Sequence, residues 1–396
     1  MKILYINALY SPLIQGGAEI SLKTLVEGMQ AAGHEVVVLS LKPEGRLTVD
    51  EVDGVKVYRA PLKNSYWPFV KTPHPTWSRL LWHLRDQYNT TMQKTVRAIL
   101  AQENPDVVSC HNLVGWSIAA WEEIKRANIP LIQVLHDLYL LCANSDMFKD
   151  DHSCTKQCLS CSLFRHNHKK ASAQVDAVVG ISNFILQRFN SYHYFEQAQK
   201  QVIYNTREIP AHPMPKERQA EEVFRIGYIG TLAEKKGVEW LIEQFSKLAI
   251  NASLTIAGGG KKPYERFLQG LARGHNITFV GYVDPPEFYK NIDLIVVPSL
   301  WQEPLGMVAI EALANHVPVI ATQMGGLPET VKHEVNGLLC AISDKNSLAE
   351  AMQRLYQDLT LYNKLVKQAR NSVEEILSKD RMIQAYTAVL HGAINR

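Results

Sequence analysis

The sequence predicts an α/β protein built from two Rossmann-like, doubly wound parallel-sheet domains. Three observations support this. Short runs of β-branched residues alternate with longer helical patterns along the whole chain, the signature of a parallel sheet wound by crossover helices. The alternation breaks once, at Ile209-Pro210-Ala211-His212-Pro213-Met214-Pro215, a linker by composition. A length of 396 residues with 46% hydrophobic content supplies a core for each half.

In the first half, strands are expected at Lys2–Asn7, Glu35–Ser40, Asp106–Cys110, Pro130–Leu135 and Ala177–Ser182, with helices at Ala18–Ala32 and Ser78–Ala101. After the linker the strands are Phe224–Tyr228, Ser253–Ala257, Ile277–Val280, Leu294–Pro298, Val317–Ala321 and Gly337–Cys340. The last helix, roughly Lys379–Asn395, is amphipathic through Met382, Ile383, Tyr386, Val389 and Leu390. Two such domains are expected to face each other across a cleft. The formal net charge of +3 is too small to imply nucleic acid as a partner. No segment approaches the roughly 20 apolar residues that span a bilayer. The apolar start of the chain is interrupted by Asn7, Ser11 and Pro12, so it reads as a first strand and not as a signal peptide. The expected compartment is the cytoplasm.

The most informative stretch is Glu303-Pro304-Leu305-Gly306-Met307-Val308-Ala309-Ile310-Glu311, directly after the apolar run Leu294–Ser299. Pro304 suits a first helical position, where a missing N–H costs nothing. Gly306 lets backbone approach a bound group. The first-turn N–H groups, including those of Met307 and Val308, favour a phosphate. Seven residues of helix rise roughly 10 Å, about the span from ribose to sugar across a diphosphate. Glu303 would then hold sugar hydroxyls and Glu311 a ribose diol, so a nucleotide-sugar has the matching shape. The plainer alternative is a surface helix with two solvated glutamates.

Other loops sit where ligands of α/β sheets bind. Gly16-Gly17 lies between the first strand and a helix, with backbone N–H groups available to phosphate or acceptor. No Gly-x-Gly-x-x-Gly with a following acidic residue accompanies it, which argues against a dinucleotide. Gly258-Gly259-Gly260-Lys261 fits neither that fingerprint nor a P-loop, and reads as a tight loop near the nucleotide. Lys236 suits a diphosphate, because a cation there stabilises charge building on the leaving group; Lys235 reads as its solvated neighbour. His136 ends the run Ile132–Leu135 at the C-terminal edge of a strand, and His111 occupies a similar edge. For both, the bland reading is a buried, satisfied histidine. Backbone around Tyr282-Val283 is the candidate for the base.

Taken together, these motifs resemble retaining family 4 glycosyltransferases of the GT-B fold, and the likeness covers nearly the whole chain. Glu303–Glu311 resembles that family's paired glutamates, and Gly325-Gly326-Leu327-Pro328-Glu329 with Asn336-Gly337 resembles the segment downstream. Lys235-Lys236-Gly237 after Gly230 resembles its diphosphate-binding lysine loop, Gly16-Gly17-Ala18-Glu19 its N-terminal glycine loop, and His136-Asp137 its active-site histidine. Gly33-His34-Glu35-Val36 and Pro105-Asp106-Val107-Val108 also sit at family-typical places. The resemblance implies domains at 1–205 and 206–378, with the helix 379–396 crossing back onto the first. It implies transfer from a UDP- or GDP-sugar to a saccharide or lipid-linked saccharide, with His136 near the reacting centre and retention at the anomeric carbon. The family commonly has an arginine where this chain has Thr231, which removes a bidentate phosphate donor. No Asp-x-Asp follows a strand and no carboxylate pair resembles a glycosidase's. Catalysis is therefore expected to need no metal cofactor.

Two further signals are separate. In the loop 142–161, Cys142, Cys154, Cys158 and Cys161 have eleven, three and two residues between them. This is close thiolate spacing in a compartment that disfavours disulfides, and it makes a structural zinc the candidate, beside free thiols or an iron–sulfur cluster. Tyr66, Trp67, Phe69, Trp77 and Trp82 lie among Lys63, Lys71, Arg79 and Arg85, a mixture that suits peripheral contact with the inner face of the cytoplasmic membrane. Against this, Trp77, Leu80, Leu81, Leu84, Tyr88 and Met92 form a helical stripe expected mostly in the core, leaving Trp82 as the exposed residue. The competing readings are a GT-B epimerase or phosphorylase, and a catalytically inactive homologue acting as an assembly partner.

Overall fold

The computed structural model describes residues 1–70, 73–209, 215–220 and 222–396; Lys71 and the linker residues 210–214 fall outside the described residues. The described chain divides into two compact units. One comprises residues 1–147, 154–206 and 379–396; the other comprises 148–153 and 207–378.

The first unit is built on an eight-stranded sheet, in the order Gln199–Val202, Ala177–Gly180, Leu131–Leu135, Val107–Cys110, Lys2–Ile6, Glu35–Lys42, Val55–Pro61, Thr48–Val52. Every pair is parallel except the last, a hairpin turned by Asp53-Gly54 with both residues at positive φ. The central strands are buried along their length because helices cover both faces, which is why they read as unbroken apolar runs. The second unit carries six parallel strands, in the order Ile277–Gly281, Ala252–Ala257, Phe224–Ile229, Leu294–Val297, Val319–Thr322, Gly337–Cys340. Two apolar clusters flank this sheet, one around Leu241, Leu254 and Leu365 and the other around Ile295, Ala312 and Leu313.

In both sheets the strand order reverses beside the first strand of the unit. The crevice outside the carboxyl ends at such a switch point is where open α/β sheets take ligands. In the first unit it lies between Lys2–Ile6 and Val107–Cys110; in the second, between Phe224–Ile229 and Leu294–Val297. The helix Lys379–Ile394 groups with the first unit and buries the predicted stripe, Met382, Ile383, Tyr386, Val389 and Leu390. It packs on the helix Gly17–Ala31 so closely that a Cβ at Gly28 would run into the Ile383 side chain.

Three expectations need correction. The helix expected over Ser78–Ala101 is two helices, Thr76–Gln87 and Thr90–Glu103. The chain breaks at Asn89, whose side chain caps the second helix by accepting from the Met92 N–H at 3.1 Å. The apolar stripe expected in the core is turned outward: Trp77, Leu80, Leu81, Leu84 and Tyr88 are exposed, while Trp82 and Met92 are buried. Finally, Glu303–Glu311 is not one helix. The helix is Met307–Ala314, entered through Gly306 in the left-handed region, so Pro304 is not its first residue and Glu303 precedes it by a four-residue turn. Gly306 is required there because a Cβ would strike Leu327, in addition to its positive φ.

Candidate active site

In the second unit the two loops that leave the switch point hold each other. The strand Leu294–Val297 runs into Pro298-Ser299-Leu300-Trp301-Gln302-Glu303, and Phe224–Ile229 leads to the lysine loop. Gly237, at φ +69°, presses that loop against the carbonyl of Pro298, where no Cβ would fit. The Leu300 N–H donates to the Lys235 carbonyl at 2.9 Å, locking the register between the loops.

Glu303 is buried, and three donors converge on its Oε1: Lys236 Nζ at 2.6 Å, Ser299 Oγ at 2.7 Å and Trp301 Nε1 at 2.9 Å. Burial alone would raise its pKa, but the Lys236 charge and the three hydrogen bonds outweigh that and hold the carboxyl below its usual range. Among the described residues no donor bonds Oε2, which keeps its lone pairs for an incoming hydroxyl. The Gly326 N–H donates to the Glu303 carbonyl and the Gly325 N–H to Gln302 Oε1, both at 2.7 Å, so the downstream Gly-Gly segment clamps this turn. Lys235 is not simply solvated: its ammonium lies 4.4 Å from the Trp301 ring centroid.

Glu311 sits inside the helix that follows. Tyr289 Oη donates to its Oε2 and Arg207 Nε to its Oε1, each at 3.3 Å. Burial outweighs both partners and raises its pKa, while burial lowers that of Arg207. The first-turn N–H groups of Met307 and Val308 have no intrahelical acceptor, as at any helix start. Thr231 is exposed and its carbonyl accepts from Tyr228 Oη at 2.8 Å. The triglycine loop has a packing role: Gly258 and Gly260 lie against the carbonyls of Gly230 and Leu232, leaving no room for a Cβ. Tyr282 stands exposed beside Gly259, and Val283 is half-buried.

In the first unit the Gly16 N–H already has an acceptor, Glu19 Oε2 at 2.8 Å, so this loop is closed on itself by a buried carboxylate more than the sequence implied. His136 and His111 do meet. His111 Nδ1 and His136 Nε2 are 2.8 Å apart, and His111 Nε2 lies 3.2 Å from Ser109 Oγ. Burial, and His136 beside it, push the His111 pKa far down, so the pair is held by a neutral imidazole. Gln133 fixes it from below, donating to the His111 carbonyl at 2.7 Å. Asp137 is raised to about 6, chiefly by burial.

The cysteine loop brings two of its four thiols together: Cys161 donates to Cys142 across a 3.6 Å Sγ–Sγ distance. That is close to the roughly 3.8 Å edge of a tetrahedral zinc–thiolate site. Among the described residues no three His, Cys, Asp or Glu side chains are gathered as a metal site, and no cysteine forms a disulfide.

Sequence reasoning missed Arg207, Tyr289, Ser299 and Trp301. The last two were legible as polar groups flanking Glu303 at short range. Arg207 stands 104 residues from Glu311 and gave no signal.

The description "Glycosyltransferase Family 4" matches residues 15–207, and "Glycosyl transferases group 1" matches residues 213–372. An uncharacterized 42.6 kDa protein in the cps region of Klebsiella pneumoniae is 33% identical over 331 residues, covering 83% of this chain and 87% of that one. Sucrose-phosphate synthase from Thermosynechococcus elongatus superposes with a TM-score of 0.78 at 21% identity, over 98% of both chains. Anabaena HepE, solved with UDP and glucose, gives a TM-score of 0.73 at 20% identity over 99% of both. The chain is a glycosyltransferase: it belongs to family 4, with the GT-B fold.

Proposed function

We propose that this protein transfers a sugar from a nucleoside diphosphate-sugar to a saccharide or lipid-linked saccharide, with retention at the anomeric carbon and no metal in the chemistry. The observation that supports this best is Glu303, a buried carboxylate ionised by three donors on one oxygen, at the switch point of the second sheet and just before the helix Met307–Ala314. In this reading Glu303 Oε2 accepts a sugar hydroxyl, Lys236 and the Met307 and Val308 N–H groups meet the diphosphate, and Glu311 takes the ribose diol. Two hydroxyl donors would stabilise the Glu311 anion that burial disfavours. In the first unit, His136, held by neutral His111, and Gly16 and Gly17 keep the roles that the family resemblance implies.

In the reaction the acceptor hydroxyl oxygen bonds to the anomeric carbon on the face that the phosphate leaves. The carbon–oxygen bond to the diphosphate breaks, and the hydroxyl proton passes to the departing phosphate oxygen. Lys236 lowers the barrier by stabilising the charge gathering there. Support for a uridine nucleotide comes from HepE, solved with UDP and glucose. In this reading the enzyme works in the cytoplasm, with peripheral contact at the inner face of the cytoplasmic membrane. Thermal shift against a panel of UDP- and GDP-sugars, then NMR of the product made with the best donor, tests the reading. One donor should stabilise the protein and yield a product with the donor's anomeric configuration, unaffected by chelators. No shift with any nucleotide, or an isomerised free sugar-nucleotide as product, would sink it.

A further inference from the structure

The helix Thr76–Gln87 is inside out. Its inward residues are Ser78, Trp82 and Asp86, whereas Trp77 is 66% exposed and Leu80, Leu81 and Leu84 are each 44–48% exposed. The arrangement is fixed by a buried charge. Asp86 accepts from the Gly115 N–H and from Tyr139 Oη, each at 2.7 Å, and pairs at 3.7 Å with Arg165, neither side chain having any exposure. Arg165 follows the helix Leu159–Phe164, which packs on the first through a His83–Phe164 ring contact and a Gln87 side-chain bond to the Leu163 carbonyl. That second helix turns Cys161 and Phe164 inward and leaves Leu159 92% and Leu163 64% exposed. One buried ion pair thus pins two adjacent helices with their apolar residues facing solvent.

Charge says what covers this face. Residues 62–91 and 154–170 contain eight lysines and arginines and a single acid, Asp86, which is buried with Arg165. Lys63, Arg79, Arg85, Lys156, Lys169 and Lys170 are exposed. The chain as a whole is nearly balanced, with 42 basic and 39 acidic residues, so the imbalance is local. A second copy docked here would set cations against cations. An anionic bilayer supplies the opposite charge, an interface for the Trp77 indole, and room for arginine stems to lie along it. Among the described residues no helix is long and apolar enough to cross a membrane, which leaves the surface-lying mode.

We propose that this face, made by Trp77, Leu80, Leu81, Leu84, Leu159 and Leu163, docks the first unit on an anionic lipid surface. The inference is independent of the donor chemistry. It is tested by flotation of the full chain with phosphatidylcholine vesicles, with and without about 30% phosphatidylglycerol. Binding should require the anionic lipid and weaken with salt. Leu84→Ser with Leu163→Ser should reduce it by about tenfold or more, with the donor-induced thermal shift unchanged. Arg79→Gln with Arg85→Gln should weaken binding and flatten its salt dependence. Brominated lipids should quench wild-type fluorescence, and Trp77→Phe should abolish most of that quenching. No flotation with anionic vesicles, or equal flotation with neutral ones, overturns the proposal. So does a dimer in sedimentation that Leu84→Ser dissolves.

Discussion

Lys236 and Glu303 should be coupled in the free protein, and a double-mutant cycle measures how strongly. At an effective dielectric near 20, unit charges 2.6 Å apart attract by about 6 kcal/mol. The carboxylate is 9% exposed and the lysine 24%, so both lose hydration on pairing, the carboxylate more. The net coupling should be about 2–4 kcal/mol. The two single variants should differ. Lys236→Met leaves a buried anion with only Ser299 and Trp301 and should cost about 3 kcal/mol, whereas Glu303→Gln leaves a lysine that can turn to water and should cost less. The sign of the pH effect follows from the lowered pKa of Glu303. Its contribution is fully present above the usual 4.5 and is lost as pH falls through the lowered folded value, so the coupling should shrink only in acid. Calorimetry of the full chain and its three variants, following the transition of the second unit from pH 7 downward, reads all of this. A coupling below about 0.5 kcal/mol at pH 7, or one that grows in acid, would refute the ionised pair.

Four further outcomes are expected. Glu311→Gln should weaken binding of the stabilising nucleotide by about tenfold in titration calorimetry, a loss of one charge-assisted bond. Wild-type affinity should also fall on acidification from a pH above the usual carboxylate range, because the Glu311 pKa is raised, and the variant should lack that limb. Gly258→Ala, at φ +118° and against the Gly230 carbonyl, should destabilise the second unit by about 3 kcal/mol in the same calorimetry. His111→Phe should lower kcat with little change in KM by releasing His136, and His111→Gln should restore part of it. The cysteine loop, from its 3.6 Å thiol pair, is proposed to take up a structural zinc: purified protein should carry about one metal by mass spectrometry, and four free thiols with no metal would end that idea.

Both parallel sheets were legible because strands buried on both faces leave contiguous apolar runs, and the strand bounds fall within about two residues of expectation. The hairpin Thr48–Val52 and Val55–Pro61 was missed although Asp53-Gly54 is a strong turn signal, because its first strand is polar and exposed. The helix near residue 80 was misjudged for a different reason. Periodicity finds an apolar face but does not say which way it points. Here Asp86, invisible as a core residue, decides the orientation through partners at Gly115, Tyr139 and Arg165. For the candidate site, residue types and their chain positions singled out Glu303, Glu311 and Lys236. Which donors reach them depended on contacts across 67 and 104 residues of chain, which local pattern does not encode.

The helix Lys379–Ile394 has a consequence for synthesis. Gly28 leaves a hollow on the first helix that Ile383 fills, with Lys379 beside it, although the two helices lie far apart along the chain. The second unit, almost entirely one continuous stretch, has all its residues available before translation ends. The first waits for residues 379–396. The unit whose sheet is translated earlier is therefore the one completed later, and a chain ending at Ser378 would hold every residue of the second unit and leave an open seam in the first.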